Sequence, residues 1–231
     1  MPPQELGTGF EKIASSYDRW YESPEGKYVD TQENELFLRL MKPQKGQTIL
    51  EVGCGTGHNI LFFQRLGLRV AGLEPAGAML GIATARCGTD ANLCPGDACA
   101  LTFPDNSFDI VAIITALEFM RDPEGALREA FRTSKETIYL GVLNSISIIG
   151  VSRRVRAVFK KSIYREAHFY SIWDIKRMVR KVAPGASIEW GSALFFPWGW
   201  HHIFGRLDRR LSFHQNPFGA FLGIKLTKPI K

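Results

Sequence analysis

Apolar positions recur at helical spacing in the first forty residues. Residues 10–22 and 28–42 read as two helices, the second with Leu36, Leu38, Leu40 and Met41 as its apolar positions after start signals at Asp30 and Thr31. At Gln47 the period changes. Thr48–Val52 is a short apolar strand, followed by a glycine-rich turn and an apolar helix over Asn59–Leu66. Leu68–Leu73 reads as a second strand ending at Glu74, Ala76–Arg86 as a helix, Asn92–Cys94 as a short third strand and Phe108–Thr115 as a fully apolar fourth. A helix around Gly125–Ser134 and a strand over Thr137–Val142 continue the series. Such alternation implies parallel strands joined by right-handed helical crossovers: an α/β, Rossmann-like, doubly wound sheet with helices on both faces.

Beyond Val142 the character changes. Residues 145–170 are basic and irregular, a helix runs from about Ser171 to Lys181 before Pro184-Gly185, and Ser187–Ala193 reads as a strand. Phe195–Phe204 is crowded with aromatics, read first as core covering the sheet edge, and Gly219–Thr227 reads as a last strand. The basic stretch is too short to hold a core of its own, so it decorates the one domain.

Composition supports this picture. With 231 residues, 45% hydrophobic and 23% charged, the chain fits a soluble folded unit rather than a disordered or coiled-coil one. No apolar run approaches the roughly 20 residues of a membrane span, and the amino terminus carries neither a basic region nor an apolar signal core. A cytoplasmic location is expected. The four cysteines, Cys54, Cys87, Cys94 and Cys99, lack zinc-site spacing and are expected as reduced, packed thiols with no metal. A thiol cluster of Cys87, Cys94 and Cys99 is the rarer alternative.

The net charge of +6 conceals a division. Residues 1–144 hold 13 Lys+Arg against 19 Asp+Glu, whereas residues 145–231 hold 16 against 4. The acidic part suits a ligand with cationic groups; the basic part suits an anionic substrate, a phosphate backbone or an acidic membrane surface. Plain solubility explains any one of these basic residues equally well.

The decisive segment is Ile49-Leu-Glu-Val-Gly-Cys-Gly-Thr-Gly-His-Asn59. Glycines at 53, 55 and 57 let the backbone turn sharply after the strand and approach a ligand. A dinucleotide fingerprint needs its third glycine at position 58, where His58 stands, which disfavours a nicotinamide-dependent oxidoreductase. Glu51 would repel a pyrophosphate but attract an ammonium. Glu74, 21 residues after Gly53, lies near the spacing at which such domains place an acid on ribose hydroxyls, and Asp97 follows the third strand where it can meet an adenine amino group. Each acid alone reads better as a loop carboxylate or cap. Three acids at the carboxyl ends of three strands converge on one crevice.

These motifs resemble the class I S-adenosylmethionine-dependent methyltransferases, of the broad group similar to the ubiquinone and menaquinone biosynthesis enzymes. The likeness covers about residues 10–143. It rests on the E-x-G-x-G-x-G run Glu51–Gly57, on Glu74 followed by Pro75 and Met79-Leu80, on Gly96-Asp97-Ala98 with the run Leu101–Asp109, and on Ile13–Asp18. It implies S-adenosylmethionine as cofactor and S-adenosylhomocysteine as product. By the same resemblance Gly53, Gly55 and Gly57 hold the methionine part and Glu74 the ribose. Met79, Asp97 and Ala98 hold the adenine, Thr115 and Leu117 line the methionine side, and Tyr17 belongs to an amino-terminal lid. It also implies a single methyltransferase domain over 1–231 (helical lid 1–45, cofactor core 46–143, basic insertion 144–170, substrate side 171–231) and strand order 3-2-1-4-5-7-6 with strand seven antiparallel.

Methyl transfer from a sulfonium needs no acid for its leaving group; it needs positioning, worth on the order of 7–11 kcal/mol when orientation is well fixed. A base matters only for a nucleophile with a high-pKa proton. Tyr17, Tyr21, Glu118, His168 and Tyr170 are the available side chains, with Tyr17, Glu118 and His168 the weak catalytic candidates, and all but Tyr17 read more simply as packing or surface residues. The expected acceptor is a small molecule, anionic or aromatic. Arg153-Arg-Val-Arg156 with Lys160-Lys161 and the run Arg206–Arg210 leave an RNA- or lipid-directed enzyme as an alternative, and a non-catalytic cofactor-binding protein as another.

Overall fold

β1 (Thr48–Val52) stands near the middle of a seven-stranded sheet, and every residue of it after Thr48 is buried. Strands covered by helices on both faces read as continuous apolar runs, which is why this one is legible in the sequence. The computed structural model describes residues 7–147, 167–196 and 201–229. β1 pairs in parallel with β2 (Arg69–Leu73) and β4 (Phe108–Ile114), β2 with β3 (Ala91–Cys94), and β4 with β5 (Ser134–Leu143). β7 (Phe221–Thr227) runs antiparallel between β5 and β6 (Ser187–Ala193). The order is β3-β2-β1-β4-β5-β7-β6, as the resemblance implied.

Helices close both faces. α6 (Pro123–Thr133) and α7 (Ile172–Val182) bury Leu127, Ile175 and Val179 on Leu50, Val111, Leu140 and Ile224. On the other face α3 (Pro24–Met41) and α4 (His58–Arg65) bury Phe37, Ile60 and Phe63 against Ile49, Ile110 and Tyr139. α1 (Gly7–Tyr17) lies on α5 (Gly77–Cys87), with Ala14 packed on Ala76 and Met79. Leu36 of α3 crosses the outer strands where they carry Gly223 and Gly191; a Cβ on Gly223 would stand 2.7 Å from the Leu36 side chain.

Several boundaries differ from the sequence reading. The helix expected over 10–22 is interrupted at Asp18 into α1 and α2 (Arg19–Glu22), where the Asp18 carboxylate reaches Thr56 and Arg86. α3 starts at Pro24, ahead of Asp30: Ser23 caps it by accepting from the Gly26 N–H at 3.0 Å, with Pro24 in the first turn. α6 likewise starts early, capped by Asp122, and β5 begins at Ser134. The sequence pattern shows no helix near the aromatic segment, yet α8 (His201–Leu211) follows it, so Arg206–Arg210 is helical. Asp208 explains its docking. Buried at the α8 surface, Asp208 accepts from the Phe195 N–H at 2.7 Å and from the Tyr28 hydroxyl.

Pro197–Trp200 and the basic run Arg153–Lys161 lie outside the described residues. Among the described residues, no helix is long and apolar enough to cross a membrane.

Gly223→Ala is expected to lower the unfolding free energy by about 1–3 kcal/mol through forced displacement of Leu36. Urea denaturation monitored by circular dichroism reads this directly; an unchanged midpoint would contradict the close approach.

Candidate functional site

The carboxyl ends of β1 to β4 open on a cavity of about 880 Å³. Its floor is the turn after β1, where Gly53, Gly55 and Gly57 all take positive φ (81°, 54° and 81°), a conformation costly for residues with a Cβ. The Gly53 and Cys54 N–H groups donate to the Leu73 carbonyl at 2.7 and 3.0 Å, fastening the turn to β2. Gly55 has open space where its Cβ would stand, so ligand atoms can approach its backbone. Gly57 has another duty. A Cβ there would meet Cys87 Sγ at 2.7 Å, so this glycine packs the turn on α5 and does not line the cavity.

Glu74, at the end of β2, bridges two loops. Its Oε2 accepts from the Gly55 N–H and its Oε1 from the Ala76 N–H, both at 2.9 Å. Burial pushes its pKa up, and the two N–H donors oppose that. One lone pair on each oxygen is left for the cavity side. Glu51 is more deeply buried: Oε1 accepts from Asn59 Nδ2 at 2.6 Å, while Oε2 has no hydrogen-bond partner. Burial, with Glu74 adding to it and Asn59 opposing, pushes the Glu51 pKa up to about 8. An unpaired buried carboxylate oxygen beside a glycine floor fits a cationic donor such as an ammonium.

The rest of the lining is mainly apolar, with Glu11, Asp97 and Asp122 as its acids. Leu73, Pro75, Met79, Pro95 and Ala98 surround Asp97, whose Oδ1 accepts from the Cys99 N–H at 2.9 Å. Thr115, at φ 47°, and Ala116 come from the end of β4. Phe10, Tyr17 and Tyr21 cover the mouth from α1 and α2. This cover is pinned at two places: Asp18 accepts from Thr56 Oγ1 at 2.6 Å and pairs with Arg86, and His58 Nε2 lies 2.8 Å from Asp30 Oδ1 with the Tyr21 ring stacked on it at 3.9 Å.

Thus Tyr17, Glu51, Gly53, Gly55, Glu74, Pro75, Met79, Asp97, Ala98 and Thr115 meet around one cavity. Leu117 does not; it is fully buried in the core beneath the loop after β4, and Ala116 and Ile114 face the cavity instead. Glu118 lines neither described hollow. It is buried with Oε1 accepting the Leu143 N–H at 2.5 Å, and burial raises its pKa to about 7. His168 and Tyr170 line a second hollow of about 520 Å³ beside α6 and α7, which adjoins the first through Met120 and Arg121. The thiols of Cys87, Cys94 and Cys99 point to three different carbonyls, those of Gly57, Gly72 and Asp122. Among the described residues no group of three His, Cys, Asp or Glu side chains is placed to hold a metal.

Sequence reasoning missed Asn59, which orients Glu51, and used His58 only as an argument against a dinucleotide. A polar pair opening α4 directly after the last glycine was the available signal.

A model of a methyltransferase domain matches residues 50–140. Over 95% of this chain and 98% of the other, the fold superposes on a SAM-dependent methyltransferase of Thermotoga maritima with TM-score 0.72 and 26% identity. The chain thus carries a match to a methyltransferase domain and shares its fold with an S-adenosylmethionine-dependent methyltransferase. The chain is 37% identical over 134 residues to demethylmenaquinone methyltransferase of Listeria monocytogenes, but that match spans 54% of this chain and 56% of the relative. It is 29% identical to an uncharacterised protein of Methanocaldococcus jannaschii over 75% of this chain and 79% of that one.

Glu51 gives the methyltransferase a pH signature. Raised from 4.5 to about 8 in the folded chain, this carboxyl keeps a proton that the unfolded chain releases. Its stabilising effect is complete below pH 4.5 and disappears as pH rises through about 8. Glu51→Gln should therefore flatten the decline of the urea midpoint between about pH 5 and 8, relative to the unsubstituted chain. Parallel declines in both proteins would refute a protonated Glu51.

Proposed function

We propose that the cavity binds S-adenosylmethionine and that the chain transfers its methyl group to a small-molecule acceptor with an aromatic or anionic group. The unpartnered Oε2 of Glu51 carries this reading: Glu51 lines the cavity together with the glycine turn, and two of the four other acids there, Glu74 and Asp97, follow β2 and β3, where a nucleoside would need acceptors. When bound, the cofactor supplies an electrophilic methyl on a sulfonium sulfur. Glu51 takes the ammonium of its amino-acid part, and the backbone around Gly53 and Gly55 lets that part lie close. The remaining lone pairs of Glu74 accept the ribose hydroxyls. Asp97 accepts from the adenine amino group, with Met79 and Ala98 against the ring and Pro75 beside it. Thr115 and Ala116 bound the methionine side.

The residues over the mouth exclude water and orient the acceptor. Phe10 meets Phe119 edge-to-face at 5.0 Å, and Tyr17, Met120 and Arg121 complete a wall that suits an aromatic or anionic acceptor. Positioning provides most of the acceleration in such a displacement, and Tyr17 and Tyr21 are the candidate bases over this mouth. Glu118 holds a loop in place, and His168 lines the adjoining hollow, so neither lines the cavity itself.

Two measurements test this. Because Glu51 carries a proton near neutral pH and must lose it to face an ammonium, S-adenosylhomocysteine binding at pH 7 should release close to one proton, seen by calorimetry in buffers of different ionisation enthalpy and absent in Glu51→Gln. Asp97→Ala should weaken binding by about 1.5–3 kcal/mol. Unchanged affinity in that variant, or no transfer of labelled methyl to a panel of phenols and carboxylic acids, would reject the assignment.

A further inference from the structure

The far side of the same sheet edge carries a surface that the proposed reaction does not use. Leu143 of β5 and Ala193 of β6 both pair with Phe221 of β7, so chain leaving these three strands emerges in one row, at the edge where the cavity opens. Asn144 gathers the segments at that row. Its Nδ2 donates to the Pro217 and Gly219 carbonyls at 2.6 and 2.7 Å, and its Oδ1 accepts from the Ile146 N–H at 3.2 Å. Asn144 thereby ties the segment of Ile146, 36% exposed, to that of Phe218, 62% exposed. α8 adjoins them, since Asp208 bonds the Phe195 N–H and the Ala220 N–H donates to Leu194.

α8 presents a cationic and apolar face. At about 100° per residue, Ile203, Arg206, Leu207 and Arg210 fall within one arc of roughly 100°. Ile203 is 78% exposed, and the other three are exposed too. The single acid of the helix, Asp208, points the opposite way into the protein, committed to Tyr28 and Phe195. No carboxylate pairs with Arg206 or Arg210 among the described residues, and none occurs from Leu211 to Ala220. Of the seven large apolar side chains exposed among the described residues, four (Ile146, Ile203, Leu207 and Phe218) come from α8 and the segments that leave or approach this edge at β5 and β7.

We propose that this face seats the methyltransferase on an anionic bilayer surface. Apolar side chains inserted at the headgroup boundary, flanked by arginines free of internal partners, match that surface in both polarity and charge. A protein partner rich in acids would satisfy the arginines but leave Ile203 and Phe218 needing a matching apolar pocket; a lipid surface accepts both without shape. Seated so, the mouth of the cavity faces the lipid, and an acceptor dissolved in the bilayer reaches it without crossing water. The surface owes nothing to the assignment of the cofactor, and its test needs none.

Flotation of the full chain with vesicles decides it. Vesicles of phosphatidylcholine with phosphatidylglycerol should carry the chain, vesicles of phosphatidylcholine alone should not, and about 0.5 M salt should release it. Arg206→Ala with Arg210→Ala should lower partitioning by about 25-fold, at roughly fivefold per cation. Ile203→Ser with Leu207→Ser should abolish it, and both double variants should keep the unfolding midpoint and the affinity for S-adenosylhomocysteine. Three results would overturn the proposal: no association with either vesicle, association unchanged in both variants, or a dimer in solution that Ile203→Ser with Leu207→Ser dissolves, which would give the face to a second copy.

Discussion

A single buried carboxylate, that of Glu74, ties the loop after β1 to the loop after β2 through two backbone N–H groups, one on each oxygen. Both N–H groups belong to segments that cannot join a strand or helix, and burying them unpaired would cost about 1–3 kcal/mol each. The charge of Glu74 is in turn tolerated in the interior because those donors surround it. The glycines make the arrangement reachable. Three positive φ angles within five residues fold the chain back tightly enough for Gly55 to meet Glu74 and for Gly53 and Cys54 to share the Leu73 carbonyl. The cavity is the space that remains above that knot.

Two other carboxyl groups show how position alone separates equal chemistry. Glu51 and Glu118 are both buried, each with one oxygen satisfied and one without a partner, and burial lifts both pKa values toward neutrality. Glu51 sits in the cavity wall and can exchange its proton for a cationic ligand. Glu118 lies beneath the loop after β4, holding the Leu143 N–H, and so fixes the loop that brings Thr115 and Ala116 to the cavity. The first helices follow the same logic from outside. Asp18 and Asp30, half-buried, reach Thr56, Arg86 and His58, so the helices over the cavity are tied to the very turn that forms its floor.

Much of this was legible beforehand. The buried strands β1, β2 and β4 carry runs of apolar residues that no surface element needs, and the glycine spacing after β1 has few uses other than a ligand seat. Strand order came from the resemblance, since periodicity cannot say which strands are neighbours. Helix starts failed where a capping serine and proline, Ser23-Pro24, outweighed the acidic signal at Asp30. Leu117 was misplaced because one residue along an irregular loop turns a side chain from cavity to core. α8 was missed because its docking depends on Asp208 meeting Tyr28, 180 residues away in the chain.

By itself, then, the amino-acid order determined the alternation of strands and helices, the glycine turn, and the placing of Glu51, Glu74 and Asp97 at strand ends, because each depends on local period, φ preference and short spacing. Tertiary structure alone decided that Asn59 holds Glu51, that His58 and Asp18 fasten the first helices to the glycine turn, and that the Ile203 and Arg206 face of α8 is left exposed. Those outcomes rest on contacts between segments far apart in the chain, where partner and direction are set by packing and are written in no local pattern.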